Sequence, residues 1–239
     1  MRHVVGAGMV VLVLLGVAWV AAPPVASGLV GSAAAAAGLN TATTHVQVQA
    51  DPPLALLWGH ADVVRVESSA DSVRGVRIER LDLALRNVSL LARSAQFVQG
   101  SLVGVTVSSG TGSVRLTEIA VNGTPGSAGM TAGLAAGDVA QALADALGGS
   151  GGATVTDVRT VAPNGIRALL DGRAVSFTLA IAADGSLVAS NPDESAPPLV
   201  LWRPSAALPL RLAGVQAAGT EVVVSGTIDA AALLSLAGG

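Results

Sequence analysis

Between Val73 and Leu91 apolar side chains recur at every second residue, but the phase slips twice. Val76 and Ile78 mark one face. Leu81, Leu83 and Leu85 stay on that face only if an extra residue is absorbed at Glu79-Arg80, and Val88 and Leu90 only if another is absorbed at Arg86-Asn87. Period two argues for a strand, and bulges at such spacing bend and twist a strand strongly. The segment therefore predicts one long strand that curves a sheet around whatever it covers. Its other face, Arg77, Arg80, Asp82 and Arg86, reads as an ordinary solvated stripe.

The same alternation runs through most of the chain from His45 onward, with Gly or Asp-Gly punctuation. Strands are expected near 45–49, 62–68, 73–91, 102–108, 113–121, 154–161, 173–182, 187–190, 208–215 and 221–227. In the 173–182 strand, Val175, Phe177, Leu179 and Ile181 share a face, and Ala183-Asp184-Gly185 turns the chain back as a hairpin. Two helices interrupt the pattern. Asp51 is placed to cap a short one, with Pro52 and Pro53 in its first turn and Gly59 at its end. The second, about 136–147, has Val139, Leu143 and Leu147 on one side and stops at Gly148-Gly149, covering one end of the sheet. The stretches 122–133 and 148–152 read as connectors. The fold class is α+β and β-rich: a strongly curved antiparallel sheet or half-barrel with one short and one medium helix.

What fills such a sheet is restricted, because 51% of the residues are hydrophobic and only 2% aromatic. A Val, Leu, Ala and Ile lining offers no polar handles, so it suits a packed sandwich or an acyl-chain cavity better than a pocket for a sugar or base. The net charge of −3 gives no electrostatic reason to expect nucleic acid as a partner. All thirteen basic residues are Arg, and the absence of Lys removes a Walker A loop, a Schiff base and a Lys general base. There is no Cys and no Tyr, which removes thiol nucleophiles, thiolate metal sites, disulfides and phenolic acids. His45 and His60 lack metal-ligand spacing and read as surface histidines. Gly148–Gly152 has the letters of a GxSxG elbow, but a helix precedes it and a strand follows, the reverse of what the elbow needs. The carboxylates, Asp62, Asp82, Asp157 and Asp171 among them, sit in turns or on wet strand faces and mark no acid/base pair. No metal and no cofactor is expected, and no enzyme.

The N-terminus points out of the cytoplasm. No ionisable side chain lies between His3 and His45, and Val4–Ala22 is almost wholly apolar behind Arg2 and His3. Residues 1–27 read as a signal peptide or a retained N-in, C-out anchor; Val25-Ala26-Ser27 offers a cleavage site, while a 19-residue apolar segment nearly spans the ~30 Å bilayer core. Residues 28–44 read as an Ala/Gly-rich tether and 45–239 as one domain, extracytoplasmic, in the cell envelope or secreted.

The segments Val46–Leu54, Leu57-Trp58-Gly59 and Ala61–Val66 together resemble the LmeA-type phospholipid-binding proteins of actinobacterial cell envelopes. Val76–Val88 looks like that family's long second strand, and Leu208–Leu212 with Gly219–Gly226 is similar to its closing hairpin. The resemblance covers about 45–228. It implies a curved sheet with helices, related in shape to tubular lipid-binding folds, holding acyl chains in a long apolar groove, with phospholipid and a membrane surface as partners. Two departures touch headgroup recognition and groove entry: the aromatic usual near the Pro-x-Leu landmark is absent at Pro53, and the Ala33–Ala37 run stands where an amphipathic helix is expected.

Burial of each acyl methylene yields about 0.8 kcal/mol, so an aliphatic groove needs little polar chemistry. The expected lining is Leu54, Leu57 and Trp58 at the rim, with Val76, Ile78, Leu81, Leu83, Leu85, Val175, Phe177, Leu179 and Ile181. The alternative is that these faces meet each other and leave a filled β-sandwich with a structural or interaction role.

Overall fold

A computed structural model describes residues 40, 42–73, 76–92, 94–109, 112–148, 154–193, 195–204 and 210–229, together with 27, 28, 30–32 and 35, which are helical. The expected leader, Val4–Ala22, and most of the Gly148–Gly152 stretch lie outside the described residues. Among the described residues thirteen strands form two antiparallel sheets. The first six, β1 (His45–Gln49), β2 (His60–Val73), β3 (Val76–Ser89), β4 (Ser94–Ser109), β5 (Gly112–Thr124) and β6 (Ser127–Ala135), follow one another as a meander. Helix α1 (Ala136–Gly148) then leads to a second sheet, β7 (Val155–Val161), β8 (Gly165–Leu170), β9 (Arg173–Ile181), β10 (Leu187–Ser190) and β11 (Leu199–Trp202). The chain returns through β12 (Leu210–Ala218) and β13 (Glu221–Ile228), and β13 pairs with β6 to complete an eight-stranded sheet. The sheet curves without closing into a barrel.

Both phase slips expected in β3 are present, in a form a single strand does not reveal. Ser69 pairs with Arg80 and Asp71 with Ile78, so Ala70 stands across from Glu79. The flanking pairs in the next two ladders put Glu79 across from Gly104 and Gly104 across from Thr117. Strands β3 to β5 change face at this level: Ile78 and Leu81, Val105 and Leu102, and Leu116 and Ile119 point inward with two residues between them. Because neighbouring strands change face at the same level, the ladders keep a constant register while the sheet creases along a line. Ala70 and Gly104 sit at φ 57° and 63° on this line. At Gly104 a Cβ would come within 2.3 Å of the Glu79 carboxyl carbon, so glycine is what lets that side chain lie across the crease and reach Arg115, 2.7 Å away. A second crease runs through Asp62, Asn87 (φ 49°) and Gln96, where the Asn87 amide donates to Gln96 Oε1 at 3.2 Å.

Helix α1 buries Val139, Ala142 and Leu143, as its spacing predicts, and rests on β5, β6 and β13 on one side and on β7 and β11 on the other. The sheets are also joined at β12, where Ala217 N–H donates to Pro163 O at 2.7 Å and the Thr160 hydroxyl donates to Gly219 O. One continuous core fills the space between them, from Val105, Leu116, Leu134 and Val224 to Ile166, Leu179, Leu187 and Trp202.

Three expectations are corrected. The stretch 122–133 is not a connector: β5 runs to Thr124 and β6 starts at Ser127, with Ala128, Met130, Ala132 and Leu134 inward. Strands β8 and β11 were not anticipated. The short helix is a 3-10 turn, Pro53–Trp58, and Asp51 does not cap it; the Asp51 N–H instead donates to Asp62 Oδ2 at 2.6 Å. Gly59 does end the turn, in the left-handed region at φ 71°.

Candidate functional site

The expected lining residues separate into three groups. Val76, Ile78 and Leu81 on β3, and Phe177 and Leu179 on β9, are buried in the main core, with Leu179 fully enclosed. Val175 and Ile181 are half-buried against the same core. These side chains already have protein neighbours. Leu83 and Leu85, which face inward between the two creases, are likewise partly buried against that core, and Leu85 also rests on the smaller core described below. Leu54 is half-buried, while Leu57 and Trp58 are 59% and 74% exposed.

Leu83 and Leu85 do not stand alone. Leu83 pairs with Val66 on β2, and Leu102 lies beside Leu81 on β4; Val66 and Leu102 are also half-buried and inward. Alternation puts Gly100 on this face too, across from Leu83, where no side chain rises from the floor. The result is a contiguous aliphatic surface of Val66, Leu83, Leu85 and Leu102 around Gly100. A second, smaller core of Val48, Leu56, Ala61, Val64 and Val88 closes one end of it, and the inter-sheet core closes the other. Val66 and Leu85 touch both. Sequence reading missed Val66 and Leu102; knowing the level of the creases on β2 and β4 would have put them beside Leu83.

The surface is poor in polar groups. Among the described residues the buried polar side chains are Ser68 and Ser186, and both are hydrogen-bonded: Ser68 to Thr44 at 2.7 Å, Ser186 to the Arg203 guanidinium at 3.1 Å. Trp202 Nε1 is buried in the inter-sheet core without a partner among the described residues. Of the carboxylates singled out, Asp62 accepts the Asp51 N–H and lies 3.6 Å from His60, Asp157 holds Arg159 at 3.0 Å, and Asp171 accepts the Thr154 N–H at 2.9 Å. Asp62 and Asp171 each tie a turn or strand end, and the Asp157–Arg159 pair lies at the register shift within β7. Such a surface can remove apolar groups from water, and its affinity would scale with the methylenes it covers.

A profile of LmeA-like phospholipid-binding proteins matches residues 13–236. The chain belongs to this family, and lipid binding is the property the family carries. No curated protein and no solved structure matches the chain.

Proposed function

We propose that the chain is an exported cell-envelope protein that holds the acyl chains of a phospholipid on the half-buried face of Val66, Leu83, Leu85 and Leu102, and carries or presents that lipid at a membrane surface. The observation that carries this reading is the partly exposed aliphatic strip that runs between the two cores, in a chain that belongs to a phospholipid-binding family. An acyl chain laid along the strip would complete the burial these leucines lack. The charge-free stretch from Val4 to Thr44, headed by Arg2 and His3, supports export through a signal or a retained anchor. A structural module is the second reading, favoured by the packing of Phe177 and Leu179 together with Val76, Ile78 and Leu81 in one filled core.

Native mass spectrometry of the full chain, purified in mild detergent and then exposed to phosphatidylcholine and phosphatidylinositol vesicles, separates the two. The lipid-binding reading expects a stoichiometric diacyl-lipid adduct that survives transfer to the gas phase and is recovered by solvent extraction. Only lipid-free protein after both exposures would contradict it and leave the filled sandwich.

A further inference from the structure

We propose that the end of the large sheet formed by the 3-10 turn and the turn that joins β3 to β4 docks into the interfacial layer of a lipid bilayer, with Leu57, Trp58 and Leu91 as the inserted side chains. These three are the most exposed large hydrophobic residues among those described, at 59%, 74% and 81%. They also sit together. Leu91 Cγ lies 2.5 Å from where a Cβ on Gly59 would be, and Leu90 N–H donates to Gly59 O at 2.7 Å, so the two turns form one tip. Beneath it Leu56 is buried on Val48, Ala61, Val64 and Val88, which holds the exposed side chains on a rigid base. A six-residue turn is not stable by itself, so packing of Leu56 fixes how its outward side chains are presented.

A bilayer is the occupant the rest of the chain favours. Val30 packs on the same small core that supports the tip, so the polypeptide that follows the apolar segment Val4–Ala22 meets the domain at this end. Among the described residues the rim carries Asp51, His60 and Asp62, with Arg86 one register step away, and no cluster of cations to select anionic headgroups; by sequence the turn adds the single Arg93. Trp with Leu beside it is instead suited to the headgroup boundary of a zwitterionic membrane. Docking at this tip is a property separate from acyl binding, although β2 leads from it directly to Val66 on the half-buried strip.

The chain has no cysteine, so single labels report cleanly. Leu91→Cys and, as reference, Arg77→Cys on the exposed face up to about 40 Å away along β3 would each carry an environment-sensitive fluorophore. The full chain is reconstituted into phosphatidylcholine vesicles with and without phosphatidylglycerol. At position 91 we expect a blue shift, at least threefold stronger quenching by a nitroxide near the lipid headgroup than at position 77, and no dependence on phosphatidylglycerol. Adding Leu57→Ser and Trp58→Ser should abolish that quenching and leave the thermal midpoint unchanged, because both side chains are exposed. Equal access of aqueous iodide to both labels would overturn the proposal. So would protection of position 91 from both iodide and lipid nitroxide, which would mean the tip is covered by a second copy. Quenching that persists in the serine variant would do the same. Extraction of bound lipid from the same samples reads acyl binding independently, so failure of one reading is distinguishable from failure of the other.

Discussion

Truncating Leu83 and Leu179 to alanine should have opposite consequences, although both are inward-facing leucines on alternating strands. Leu179 is fully enclosed between the sheets. Removing three carbons there costs the transfer energy and leaves a cavity, about 3 kcal/mol in all, which for a domain of this size lowers the melting midpoint by roughly 6–12 °C. Leu83 is partly exposed, so about three quarters of a ~2.4 kcal/mol transfer term is lost, roughly 1.8 kcal/mol and 4–7 °C. If an acyl chain covers the exposed part, Leu83→Ala also loses about 0.6 kcal/mol of binding, close to a threefold weaker affinity. Differential scanning calorimetry of lipid-stripped protein and titration with a fluorescent phospholipid measure the two quantities. Leu83→Ala should be mild in stability and impaired in binding, and Leu179→Ala the reverse. Equal destabilisation by both, with lipid affinity unchanged in Leu83→Ala, would show that the strip is filled core and refute the reasoning.

Gly104→Ala should lower stability by about 2 kcal/mol, since the new Cβ is strained at φ 63° and displaces Glu79 from Arg115, whereas Gly172→Ala, at φ 80° with open space, should cost about 1 kcal/mol; urea unfolding of both compares them, and equal losses would deny the crease its role. Asp184 is held below its ordinary pKa by hydrogen bonds from Ser186 and by Arg203, so its contribution is present above about pH 4 and fades as pH falls through the depressed value. Melting midpoints from pH 2 to 7 should show Asp184→Asn losing that acid-side slope. Burial raises the Asp138 pKa and Arg115 opposes it, so here stability falls as pH rises above 3.8 through the raised value, and Asp138→Asn should flatten that part of the same profile.

The curvature of β3 was legible because its aliphatic residues are large enough to mark phase, and Val76, Ile78, Leu81 and Val88 are where the two slips require them. That neighbouring strands crease at the same levels was not, since register is a property of neighbours that one strand does not encode. Strand β6 escaped notice for a chemical reason: Ser127–Ala135 alternates correctly, but with Ala and Gly, so its hydrophobic contrast is slight. Gly133 is there because a Cβ would fall 2.6 Å from Thr117 Oγ1, whose hydroxyl donates to Gly133 O. Strand β11 has only four residues after Pro197-Pro198 and shows no period. At the site, alternation named which residues face inward but could not tell Leu83 from Leu179, because the covering elements, α1 and the second sheet, decide which inward leucines are enclosed. The alternation of 73–91 carries Leu91 to the end of a strand, and only the fold brings it to Trp58.

The central claim is that acyl chains lie on the strip between the two cores, and the most direct measurement locates them. A phospholipid carrying a photoactivatable group at the middle of its acyl chain, bound to the full chain and irradiated, should crosslink to Val66, Leu83, Leu85 and Leu102 as mapped by peptide mass spectrometry. Crosslinks confined to the outer stripe of Arg77, Arg80 and Arg86, or spread evenly over the surface, would contradict the account.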